Sequence, residues 1–161
     1  MSRAIILFPA AFFLIVLVGC QTANDKEIKS ETLFREYLTN WNTHDVDKIV
    51  SFFTDDCIYE NLSRGQTYRG KNQLREWVKT TFEAIPDFKL DITSLFAAGD
   101  LLACEWVMTG TLSGDSSGIP ITGKSFSVRG ATIAQLKDGK IQRNADYWDL
   151  ATFLRQVGLM E

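Results

Sequence analysis

From Ser30 onward the apolar residues first recur at helical spacing. Leu33, Phe34, Tyr37, Leu38 and Trp41 fall at i, i+1, i+4, i+5 and i+8, one face of an amphipathic helix. Ser30 stands where an N-cap would sit, and Glu31 suits the positive end of the helix. Asn42-Thr43-His44-Asp45 interrupts the stripe; Val46, Ile49, Val50 and Phe53 then mark a second short helix capped by Asp45. Cys57 to Leu62 reads as a short strand. Arg64-Gly65-Gln66 turns the chain so that Thr67-Tyr68-Arg69 can pair back. Leu74, Trp77, Val78 and Phe82 form a third helical stripe that ends near Pro86.

After Pro86 the period changes from that of a helix to that of a strand. Phe88–Ala98, Leu101–Leu112, Lys124–Leu136 and Lys140–Trp148 read as four strands. Gly99-Asp100 and Lys137-Asp138-Gly139 are tight hairpin turns, and Ser113–Gly123 is a Gly/Ser-rich loop holding Pro120. Asp149 caps a last short helix with Leu150, Phe153, Leu154 and Val157 inward, and Gly158 stops it. Helices followed by hairpin-linked strands predict an α+β fold. A long curved antiparallel sheet, wrapped by the N-terminal helices and closed by the short C-terminal one, makes a cone with an apolar inner face.

The segment before the domain has its own pattern. Ala4 to Val18 is apolar throughout behind the single charge of Arg3. That run is shorter than the roughly 20 residues of a membrane span and has the layout of a signal peptide. Leu17-Val18-Gly19-Cys20 resembles the lipobox of bacterial lipoproteins. The resemblance implies removal of residues 1–19, lipidation of Cys20, a tether over 20–29 and a domain over 30–161. It places the protein outside the cytoplasm, held on a membrane through its lipid anchor. Gln21 after the cysteine fits sorting to an outer membrane. The same pattern also fits a secreted protein cut nearby, or an uncleaved anchor.

Composition narrows the chemistry. Of 161 residues, 17 are Lys or Arg and 20 Asp or Glu, a net charge of −3 with no basic stripe, which argues against a nucleic-acid partner. One His and three Cys are too few for a Cys/His zinc site. With no Gly-rich phosphate loop and no Ser-His-Asp pattern, acid/base work by a carboxylate is what remains, with no metal and no cofactor.

Two sets of residues carry a family resemblance. Trp41-Asn42-Thr43-His44-Asp45 with Phe53-Thr54-Asp55-Asp56-Cys57-Ile58-Tyr59 resembles the opening of nuclear transport factor 2-like proteins. Four later motifs resemble the SnoaL-like polyketide cyclase and ester cyclase branch. They are Thr109-Gly110-Thr111-Leu112, the loop Gly118 to Lys124, Asp138-Gly139-Lys140-Ile141, and the ending Asp146-Tyr147-Trp148-Asp149-Leu150 with Leu154 to Leu159. The resemblance spans about residues 31–159. It implies a cystatin-like cone, a homodimer through the sheet's outer face, and a single acid/base Asp on the last strand, which is Asp146 here. Tyr59-Glu60-Asn61 with Asp146 also resembles the limonene epoxide hydrolases. Those enzymes add an Arg-x-Asp on a middle strand, where this chain has Trp106 and Met108.

Strand periodicity supplies the candidate surroundings. Gln142, Asn144, Asp146 and Trp148 share one face of the last strand, and Leu102, Cys104, Trp106 and Met108 share an apolar face of a middle one. An Asp facing Trp106 and Met108 is desolvated, which raises its pKa in the direction a general acid/base needs. Tyr59 and Asn61 are placed to polarise a carbonyl or to orient Asp146, making these three the catalytic candidates. Trp106, Met108, Cys104, Asn144 and Trp148 are the pocket candidates. Each has a structural alternative: a hydrogen-bonded strand Asp, core aromatics, a strand-end Asn. Cys57 and Cys104 are either buried thiols or a pair.

The function expected is binding of, or cofactor-free acid/base catalysis on, a small hydrophobic carbonyl compound. One alternative is a non-catalytic small-molecule-binding or protein-interaction lipoprotein. A second is an epoxide hydrolase-like enzyme lacking the Arg-x-Asp. A closed pocket with the Tyr59, Asn61 and Asp146 trio intact favours catalysis; a pocket plugged by Trp106 and Phe side chains favours the non-catalytic role.

Overall fold

The first apolar stripe lies on one long helix, α1 (Ala10–Asn40), in the computed structural model, which describes residues 10–114 and 120–161 and, at the amino end, side chains from Asp25 onward. The expected leader and Leu17-Val18-Gly19-Cys20 therefore fall outside the described side chains, as does the stretch 115–119 of the Gly/Ser-rich loop. Ser30 is not an N-cap: it sits inside α1, 5% exposed. The segment read as a tether, 20–29, continues the same helix, because Gln21–Lys29 contains neither Gly nor Pro to break it. Its described part is held to the sheet. Lys26 pairs with Asp100 at 2.8 Å, and the Ala97 amide donates to the Glu31 carboxylate at 3.3 Å.

A 3₁₀ turn (Trp41–Thr43) and His44 in the left-handed region (φ 58°) lead into α2 (Val46–Ser51), whose Lys48 amide donates to the Asp45 carboxylate at 2.9 Å. Phe53 belongs not to that helix but to β1 (Phe53–Asn61), where it pairs with Ile141. A second 3₁₀ turn (Leu62–Arg64), β2 (Gln66–Arg69) and α3 (Gly70–Ala84) follow, with Leu74 and Val78 buried. The chain then runs through β3 (Lys89–Ala98), β4 (Leu101–Thr111), β5 (Ser125–Lys137) and β6 (Lys140–Trp148) to α4 (Leu150–Gln156).

The six strands lie in the order β2-β1-β6-β5-β4-β3. The sheet is mixed rather than wholly antiparallel, because β1 pairs with β6 in parallel. After β2 the chain crosses by way of α3 to the far edge, and the meander back through four antiparallel strands delivers β6 beside β1 in the same direction. Irregularities between Phe53 and Ile58, Ile92 and Ser94, and Gln135 and Leu136 bend the sheet around the helices. Asp138 (φ 51°) and Gly139 (φ 72°) make the β5–β6 turn left-handed at both central positions, which matches the twist of the strands it joins. The core lies between the inner sheet face and the helices. It is built from Phe34 and Leu38 of α1, Trp41 of the 3₁₀ turn after it, Leu74 and Val78 of α3, and Leu102 and Cys104 of β4.

Candidate active site

β6 is an interior strand, so a residue on its inner face has neighbours on both sides. Asp146 stands beside Asn61 of β1 and Thr132 of β5. It lines a cavity of about 1020 Å³ walled by Trp41, Trp77, Trp106, Phe126 and Trp148, with Tyr59 and Asn61 in the same wall. The cavity is open and is not filled by Trp106.

Three side chains hold the carboxylate. Oδ1 accepts from Thr132 Oγ1 at 2.7 Å and from Asn144 Nδ2 at 2.8 Å, and Oδ2 accepts from the Tyr59 hydroxyl. Trp106 fixes the direction of one of these bonds. Its Nε1 can only donate, and it does so to Thr132 Oγ1 at 2.9 Å, so the single Thr132 proton is left for Asp146. Trp106 can lie there because Gly130 is opposite; a Cβ on Gly130 would meet Trp106 Cη2 at 2.3 Å. Tyr59 is packed against Trp77, ring centroids 4.5 Å apart, and its hydroxyl is committed to Asp146.

Burial pushes the Asp146 carboxyl above the ordinary carboxylate range, and the Tyr59, Thr132 and Asn144 donors pull it back only in part. Asp146 is half-buried by surface area; what remains exposed faces the cavity. Burial and the neighbouring Asp146 charge push Tyr59 well up, so it stays a neutral donor, and Tyr37 behind it is raised for the same two reasons.

The sequence-derived candidates divide. Asp146, Tyr59, Asn61, Trp106, Met108 and Trp148 all line the cavity. Cys104 and Asn144 do not. Cys104 is a buried free thiol in the core beside Thr132, pushed up to about 12 by burial. Asn144 is fully buried and reaches the site only through its amide on Asp146. Gln142 does not share the inner face either. The β6 irregularity turns Ile141 inward, where it is fully buried. Cys57 and Cys104 are both free thiols.

Thr132 was missed, for a reason in the register. Counting back from the Lys137–Lys140 pair places Ala131 opposite Asp146; the irregularity after Gln135 shifts the partner to Thr132. Where the epoxide hydrolases carry a second carboxylate, Trp106 and Met108 stand in the wall. Among the described residues the only other carboxylate lining the cavity is Glu76 of α3, which is not a partner of Asp146.

Comparison with known proteins agrees with this fold. Residues 31–157 match the family model of the SnoaL-like polyketide cyclases. The chain is 30% identical over 104 residues to the protein named cyclase aurE of Calcarisporium arbuscula, covering 64% of this chain and 74% of that one. A hypothetical protein with a ketosteroid isomerase-like fold from Catenulispora acidiphila, solved in complex with trimethylamine, is similar with a TM-score of 0.69 and 26% identity over 79% of this chain and 92% of that one. A protein from Jannaschia classed with the SnoaL-like polyketide cyclases gives 0.75 at 19% identity over 84% and 95%, a likeness of fold.

Proposed function

The chain belongs to the SnoaL-like polyketide cyclase family, and from that premise we propose that its cavity takes a small hydrophobic carbonyl compound on which Asp146 performs cofactor-free acid/base chemistry. One observation carries this reading: a carboxylate whose basicity is raised by burial, held by three donors on the wall of an open aromatic cavity. In the proposed step Asp146 takes a proton from the carbon next to the ligand's carbonyl. The C–H electron pair moves to the carbonyl oxygen, which the Asn61 amide can stabilise as a donor. The carbanion then adds to a second carbonyl of the same ligand, whose oxygen takes the proton from Asp146 and becomes a hydroxyl, or the carbon takes that proton back; either way the carboxylate is regenerated.

A non-catalytic carrier is the second reading, and the saturation of the carboxylate by its three donors is what favours it. An epoxide-opening reaction is third, because among the described residues no second carboxylate is paired with Asp146. Mass spectrometry of ligand extracted from protein purified from its native membrane identifies the compound. Asp146→Asn then decides its fate. Turnover falling about 10²–10⁴-fold with binding kept supports catalysis. Unchanged turnover takes the proton-transfer role from Asp146, and no turnover in the wild type supports the carrier.

The Leu17-Val18-Gly19-Cys20 pattern behind its apolar run supports lipidation at Cys20 and a location outside the cytoplasm. Lys26, the first of the described side chains to pair with the sheet, follows closely, so an anchor at Cys20 would hold the β3–β4 turn near the membrane. Cys20→Ala should leave the membrane fraction. A variant that stays there with the wild-type mass contradicts lipidation. Exposed Phe96, Leu101, Ile133 and Tyr147 on the outer sheet face support a homodimer through that face. Sedimentation showing only monomer at high concentration removes it.

A further inference from the structure

Two residues close together in the chain, both lining the cavity, carry donors that lack acceptors. Asn61 ends β1, is 5% exposed and lines the cavity. Its Oδ1 accepts from Trp148 Nε1 at 3.0 Å and from the Arg64 amide at 3.2 Å. Neither of those groups can accept, so the orientation of the amide is fixed and Nδ2 is its unspent side. Among the described residues Nδ2 has no acceptor. Arg64 follows one 3₁₀ turn later, where Gly65 in the left-handed region (φ 63°) ends the turn. Arg64 is half-buried and lines the same cavity, and among the described residues no carboxylate lies within ion-pair distance of its guanidinium. A guanidinium carries five donors and no acceptor, and its planar fork matches a carboxylate or a similar oxyanion.

We infer that Asn61 and Arg64 form an oxyanion-binding subsite in the cavity wall, and that the ligand is a hydrophobic acid. Its apolar body lies among the aromatic side chains. Its anionic oxygen group, whether carboxylate, sulfonate or phosphate, lies on Arg64, and a neighbouring oxygen lies on Asn61. The other charged residues of the cavity wall are Asp146 and Glu76, both acidic, so among the described residues the wall offers an anion no cation besides Arg64. That seating presents the part of the ligand nearest Asn61 to Asp146, the residue beside it across the β1–β6 pairing. The inference rests on the cavity being a ligand site, as proposed above, and names the class of compound it takes.

Two fluorescent probes that share one aromatic body test it. 1-Anilinonaphthalene-8-sulfonate carries a sulfonate; N-phenyl-1-naphthylamine is its neutral counterpart. Both are titrated into the full-length protein and into Arg64→Gln and Arg64→Lys, with circular dichroism confirming the fold of each. The sulfonate binds more tightly than the neutral probe to the wild type, and more weakly as salt is added. Arg64→Gln weakens the sulfonate about tenfold or more and moves the neutral probe less than about twofold, while Arg64→Lys retains most of the preference. Equal weakening of both probes, or an unaffected sulfonate, overturns the subsite and leaves the Asp146 reading standing. If the wild type takes up neither probe, the cavity reading and the subsite fall together. Full turnover in Asp146→Asn with the probe preference intact removes the catalytic reading alone.

Discussion

Thr132→Val is the most informative single change at this site. Valine fills the space of threonine and removes one hydroxyl. That hydroxyl donates to Asp146 Oδ1 at 2.7 Å and accepts from Trp106 Nε1 at 2.9 Å, so two consequences follow from one atom. First, the Asp146 carboxylate loses one of three donors. A hydrogen bond to a charged group contributes about 1.5–3 kcal/mol, which at about 1.36 kcal/mol per pH unit moves the Asp146 midpoint upward by about one unit or more. Second, Trp106 Nε1–H is left buried without an acceptor, at a cost of about 1–3 kcal/mol, part of which the added methyl offsets by about 0.8 kcal/mol. Thr132→Ser keeps the hydroxyl and should leave the Asp146 midpoint near its wild-type position. The assay is carboxyl ¹³C NMR across a pH titration, with the Asp146 signal identified by its loss in Asp146→Asn, and urea unfolding run alongside. A folded Thr132→Val protein with an unmoved Asp146 midpoint refutes the account of how this carboxylate is held.

Other outcomes follow from the same geometry. Because the Asp146 pKa is raised, between the ordinary carboxylate value and the folded one the native state keeps a proton which the unfolded chain has lost. Stability from this group is therefore full below the ordinary carboxylate value and falls as pH rises through the folded one. Asp146→Asn should accordingly gain stability over the wild type in denaturant titrations at pH 7, with the gain shrinking toward pH 3.5; equal curves at both pH values contradict it. Gly130→Ala drives a Cβ into the Trp106 ring, at 2.3 Å from Cη2, and should cost about 1–3 kcal/mol with a red shift in tryptophan emission; wild-type stability and emission contradict that packing. Cys104, pushed up to about 12, and the buried Cys57 thiol should resist a thiol reagent at pH 8 until the protein is unfolded; rapid native labelling of either contradicts their burial.

Much of this was readable in the sequence because its signals are local. Lys140–Trp148 is the last strand with the expected bounds, and Asp45 and Asp149 cap helices as their positions before apolar stripes require. Asp146 could be placed inside the cone only through the family resemblance, since alternation along β6 does not say which face is inner. The misreadings arise where pairing overrides local pattern. Phe53 keeps helical spacing from Val46 yet enters β1, because Ile141 offers it a strand partner. Ser30 resembles a cap, but contacts from Lys26 and Glu31 to the β3–β4 hairpin favour a helix that starts upstream. Thr132 and the parallel β1–β6 pair depend on register and crossover, to which no short window of sequence is sensitive.

The proton-transfer role of Asp146 is the central claim, and α-proton exchange on a hydrophobic ketone tests it without knowledge of the natural ligand. The protein is incubated with 2-tetralone in D₂O near neutral pD, and loss of the α-proton signal is followed by ¹H NMR against a buffer control and against Asp146→Asn. The wild type should exchange the α-protons faster than buffer, and Asp146→Asn should lose that acceleration by about 10²-fold or more while still binding the ketone. Exchange at one rate in wild type and Asp146→Asn, with both proteins folded and loaded with ketone, would contradict the claim.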